Sequence, residues 1–218
     1  MKRFGFDYQV VLPGQRNFAA ANERNFGLTD ESSARSYGYH LPAQKKEKLP
    51  PEPDLSAQGQ AVMSGTGQGR YKGLNVPDGG CDGESKRALA KGAPKIDDPD
   101  AAGVLALQIS QKVEQDSRVR EAFGEWSACM KKRGFDYKHP MDPIDDPNNQ
   151  AGSTASKREI ETAVADVQCK RQTRLISTWA TVTVAYQKQA IEKNAERLKN
   201  IKEALQVMLR NASKLQGS

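Results

Sequence analysis

The sequence predicts a mostly α-helical protein, a long antiparallel helical hairpin pinned by a disulfide, with an irregular N-terminal half rich in proline and glycine. Three observations carry this. Apolar residues recur at helical spacing over two long stretches in the C-terminal half. Proline is absent after Pro147, and glycine is absent between Gly152 and Gly217. The octapeptide Met1–Tyr8 returns, nearly intact, as Met130–Tyr137, both copies fitting Met-x-x-x-Gly-Phe-Asp-Tyr. The repeat predicts an internal duplication, with a boundary separating a module over residues 1–95 from a helical module over residues 96–218.

The elements follow in order. Residues 1–80 are punctuated by turn formers such as Leu12-Pro13-Gly14, and Lys45–Pro53 reads as a charged linker or extended arm. Thr29-Asp30-Glu31 starts a short helix that Gly38 ends. Glu84–Lys91 reads as another, stopped by Gly92 and Pro94. Ile96-Asp97-Asp98-Pro99 is a helix start, because the carboxylate caps free amides and proline tolerates the first turn. Val104, Leu107, Val113, Val119, Phe123 and Trp126 then mark one face of a helix from about Pro99 to Lys132, ended by Gly134. Ile144-Asp145-Asp146-Pro147 repeats the start signal. From Lys157 to Ser213 the apolar spacing continues through Ile160, Val167, Leu175, Trp179, Leu198, Ile201, Leu205 and Met208. That spacing predicts one long helix, or two with a slight break.

The duplication also organises the cysteines. Cys129 precedes the second octapeptide and Cys169 lies in the following helix, so the two are predicted to pair. Cys81 belongs to the first copy, whose matching cysteine would stand just before Met1 along with an upstream helix, and it is predicted to be unpaired. The alternative is three unlinked thiols in a cytosolic chain. The spacings do not resemble those of a zinc site, and no metal or cofactor is expected.

The 218-residue chain is 37% hydrophobic and carries a net charge of +6, which implies a modest core. Ten basic residues lie between Lys170 and Lys214 against three acids. Lys188, Lys193, Arg197, Lys199, Lys202 and Arg210 form the candidate basic surface, suited to an anionic polymer, lipid, nucleic acid or acidic protein. No run reaches the ~18 apolar residues of a membrane span. Gly65-x-Gly67-x-Gly69 lacks the Lys-Ser/Thr of a nucleotide loop, and no hydrolytic motif occurs. An enzyme is therefore not expected. Aromatic residues remain. Phe6, Tyr8, Tyr37, Tyr39, Phe135 and Tyr137 either dock irregular segments onto the helices or form a recognition surface for a ligand with a polar tip.

Cys129-Met130-Lys131-Lys132-Arg133-Gly134-Phe135-Asp136-Tyr137 resembles a signature in secreted proteins and lipoproteins of actinobacteria, where Cys-Met-x-x-x-Gly-Phe/Tyr-x-Tyr ends a helix. Phe26-Gly27-Leu28-Thr29, Tyr37-Gly38-Tyr39 and Gly79-Gly80-Cys81-Asp82-Gly83-Glu84 are similar to blocks of the same group. The resemblance implies an exported, disulfide-bonded helical protein, often lipid-anchored. The group's signal, lipobox and first cysteine have no counterpart here. By analogy, some small actinobacterial lipoproteins protect the producer from its own envelope-active peptide.

The expectation is a non-enzymatic extracytoplasmic binding protein of the cell envelope, engaging an envelope ligand or a protein partner, with self-resistance as one specific form. The competing class is an oligomeric coiled-coil scaffold paired through Leu198, Ile201, Leu205 and Met208. A nucleic-acid or phosphate binder using Lys188–Lys214 ranks last.

Overall fold

A computed structural model describes residues 1–6, 25–41, 55–67 and 69–216. Tyr8 and the Lys45–Pro53 linker lie outside the described residues. In chain order the elements are α1 (Glu31–Tyr37), α2 (Ala57–Ser64), β1 (Arg70–Tyr71), β2 (Leu74–Asn75), α3 (Gly80–Ala90), α4 (Ala101–Gln115) and α5 (Ser117–Lys132). They continue with α6 (Asp142–Asp145), α7 (Pro147–Gln150), α8 (Lys157–Gln172), α9 (Leu175–Lys193) and α10 (Ala195–Gln216). The protein is mostly helical, as the periodicity predicts. Among the described residues, no helix is long and apolar enough to cross a membrane.

The chain divides into two compact units, one of Met1–Gly14, Glu47–Ala101 and Asn194–Ser218, the other of Gln15–Lys46 and Ala102–Lys193. The units themselves are discontinuous, because the final helix packs with α3, far away in sequence. Asn211 donates its amide to the carbonyls of Leu89 (2.7 Å) and Lys91 (2.9 Å), satisfying the C-terminal end of α3.

In the second unit, α5, α8 and α9 pack on one another around Val119, Phe123, Trp126, Met130, Leu175 and Trp179. Two predicted helices are shorter than their spacing suggested. The helix expected from Pro99 to Lys132 breaks at Asp116, whose carboxylate accepts from the Arg118 amide (3.1 Å) and starts α5. The cap satisfies an amide that the break leaves without an intrahelical acceptor. The Lys157–Ser213 helix breaks twice. Arg174 adopts a left-handed conformation (φ 53°), and Leu175 behind it is fully buried. A second turn at Asn194 separates α9 from α10. Within the second unit, α5, α8 and α9 form a helical bundle.

The disulfide is present: Cys129 and Cys169 are joined with S–S 1.99 Å and Cα–Cα 5.7 Å, linking α5 to α8 inside the core. Cys81 is free and buried.

The glycine turn of the octapeptide is also duplicated in backbone geometry. In the second copy, Gly134 N–H donates to Lys131 C=O (3.0 Å) and Phe135 N–H to Met130 C=O (3.0 Å), which is the Schellman closure of α5. In the first copy, Gly5 N–H donates to Lys2 C=O (2.8 Å) and Phe6 N–H to Met1 C=O (3.4 Å). Gly5 and Gly134 have φ of 78° and 90°, where a side chain would be strained. Each copy also packs beside a cysteine. Met1 and Phe6 lie against the Phe4–Val62–Cys81 cluster of the first unit, as Phe135 lies against the cluster holding Met130 and Cys169 in the second. The Ile-Asp-Asp-Pro repeats agree likewise: Asp98 accepts from the Asp100 amide (3.2 Å) and Asp146 from the Asn148 amide (2.9 Å).

Candidate functional site

Two features of the second unit bear on function, a buried ionic network and the groove beside it. The network docks residues 28–40 onto α8. Leu28, Ala34 and Tyr39 pack on Ala163 and Val167. One turn apart on that helix face sit Asp166 and Lys170, 0% and 1% exposed. Asp166 accepts from Trp126 Nε1 (2.9 Å), Lys170 Nζ (2.9 Å) and Tyr39 Oη (3.3 Å). Lys170 Nζ donates in addition to the Leu28 carbonyl (3.0 Å). Burial pushes the Asp166 carboxyl up and the Lys170 amine down, while their mutual attraction opposes both shifts.

Glu159 makes the second tie. Its side chain is fully buried and accepts from the Tyr39 amide (2.8 Å) and His40 Nδ1 (2.8 Å). It also closes a capping box with Ser156 at the start of α8. Gly38 lies so close to Glu159 that a Cβ there would overlap the carboxylate. The bond to Glu159, helped by the Gly152 carbonyl, raises the His40 pKa above its ordinary 6.5. A raised histidine stabilises the fold fully below its unfolded value and loses that contribution as pH rises through the folded value. His40→Gln is therefore expected to lower the thermal midpoint more at about pH 5.5 than at about pH 8.5. A pH-independent difference between variant and parent would show that the ion pair contributes nothing.

The network anchors Leu28, and two residues earlier Phe26 forms part of a groove between α4 and α9. The groove encloses about 460 Å³. Ile109, Val113, Phe26 and Trp179 supply apolar surface, and Ser110, Thr183 and Gln187 supply hydrogen-bonding groups. Phe26 meets Trp179 edge-on with ring centroids 5.2 Å apart, and Phe123 supports Trp179 from the core at 4.8 Å. None of the described lining residues is ionisable. Such a lining suits an uncharged, largely apolar ligand carrying a few hydrogen-bonding groups.

The residues singled out from sequence do not gather at this groove. Phe6 stacks on Tyr71 in the first unit (5.3 Å). Tyr39 is 6% exposed and Tyr137 donates to Asp146 (2.7 Å), so both hydroxyls serve carboxylates of the fold. Burial pushes the Tyr137 phenol up to about 12. Phe135 packs on the core, and Tyr37 stands 43% exposed. The basic stretch is divided as well. Lys188 and Lys193 lie on α9, whereas Arg197, Lys199, Lys202 and Arg210 lie on α10 in the other unit, all exposed. Lys170, one of the ten basic residues counted from Lys170 to Lys214, is internal.

Sequence reasoning missed the groove: Val113 and Trp179 were marked only as apolar helix positions, and Phe26 only within a resembling block. The i, i+4 spacing of Asp166 and Lys170 beside Ala163 and Val167 was the available signal for the network. No family model, curated protein or solved structure matches the chain.

Proposed function

We propose that this chain is a non-enzymatic, extracytoplasmic binding protein of the cell envelope, whose groove between α4 and α9 receives a small, uncharged amphipathic ligand. The groove carries the reading. It is aromatic-floored, of ligand size, and built on a braced helical core. The Cys129–Cys169 disulfide supports the compartment, because such bonds persist where the surroundings are oxidising. The uncharged lining supports binding over chemistry, since it offers no group to exchange a proton.

The test is titration of the intact chain with an uncharged fluorescent amphiphile, N-phenyl-1-naphthylamine. Saturable binding at one equivalent is expected. Ala106→Trp, at an exposed lining position on α4, should fill the groove and weaken binding by about tenfold or more while leaving the thermal midpoint unchanged. Equal binding by parent and variant would place the probe elsewhere and remove the groove from the account.

A further inference from the structure

The helix α10 belongs to the first unit, and its surface does not depend on the groove of the second. Ile201 and Ala204 are 7% and 1% exposed, and α10 packs with α3. The four residues of the expected coiled-coil seam are therefore not all available: Ile201 is already buried within the chain. Left outside are Leu205 and Leu209, 52% and 68% exposed. At ~100° per residue they fall with Leu198 within about 40° of arc, and Lys202 borders them.

On the same count Lys202 lies about 20° and Arg210 about 100° from Leu209, whereas Lys214 lies about 140° away. Among the described residues, Lys202, Arg210 and Lys214 are exposed and make no ion pair, whereas Glu203 is held by Lys199 (3.8 Å). From Ala204 to Gln216 the helix carries no acid. Exposed Lys91 adds to the positive charge near Asn211, which binds its carbonyl.

We propose that α10 docks on an anionic lipid surface, with Leu205 and Leu209 entering the interface and Lys202 and Arg210 meeting headgroup phosphates. The pairing of apolar ridge and unneutralised cations is what such a surface recognises. A second copy of the chain is disfavoured on two counts. The two ridges would bring like charges together, and a few leucines fall short of the ~800 Å² per partner that stable association uses. Nucleic acid would engage the cations and leave the leucines in water.

The experiment is co-sedimentation of the full chain with phosphatidylglycerol-containing vesicles and with pure phosphatidylcholine vesicles. Binding to the anionic vesicles alone, weakened by salt, is expected. Lys202→Gln/Arg210→Gln should lower partitioning about 25-fold, at roughly fivefold per charge. Leu205→Gln/Leu209→Gln should lower it about tenfold or more. Both substituted sets lie on exposed positions, so circular dichroism should match the parent. Failure to bind, or equal binding to both vesicle types, overturns the proposal. So does a leucine variant that binds as the parent does, or one whose main effect is to abolish concentration-dependent self-association.

Discussion

Lys170→Met is expected to destabilise the second unit by about 3–5 kcal/mol, the cost of stranding a buried carboxylate. Asp166 is fully buried, and without the ammonium it keeps only the Trp126 and Tyr39 donors among its described partners. The Leu28 carbonyl would also lose its donor. Asp166→Asn/Lys170→Met removes both charges while keeping similar volumes, and it should recover much of the loss, since neutral replacement of a whole buried pair is often tolerated. Urea unfolding followed by circular dichroism measures both. A single variant within about 1 kcal/mol of the parent would show that the carboxyl is already neutral in the fold. The effect should reach function, because Lys170 holds Leu28, two residues from Phe26 on the groove. Both variants lack that donor, so both should bind the amphiphile more weakly than the parent.

Loss of the disulfide is the second large effect. Cys129→Ala/Cys169→Ala opens a loop spanning 40 residues, worth about 4 kcal/mol in the chain-entropy account. Because both sulfurs lie within the helical core, alanine leaves a small cavity that adds to the loss. Reductant should bring the parent close to the double variant and leave that variant unchanged. A parent insensitive to complete reduction would show that packing alone holds α5 to α8.

Local signals were legible where one residue type has one physical use. Asp30 and Gly38 bound α1, and Gly134 closes α5 as its left-handed geometry requires. The repeated Ile-Asp-Asp-Pro was likewise read as a cap, and in both copies its second aspartate accepts a backbone amide. The breaks at Asp116 and Arg174 were not legible, because neither carries glycine or proline. Asp116 could equally have sat on a solvated helix face, and the turn at Arg174 depends on the burial of Leu175, a tertiary fact. The burial of Lys170 was not legible, because a sequence does not show which lysine has an aspartate beneath it. The groove draws on Phe26, Ile109 and Trp179, three distant stretches whose meeting only the fold decides. The discontinuous units were hidden for the same reason, since α10 finds α3 across more than a hundred residues.

The most direct test of an exported, disulfide-braced binding protein is thiol mapping by mass spectrometry. The chain would be isolated from the cells that make it, with free thiols alkylated at lysis and no reductant added. The account predicts a Cys129–Cys169 cross-linked peptide and an alkylated Cys81 once the protein is denatured. Alkylation of all three cysteines would contradict it, placing the chain in a reducing compartment and its core without the brace.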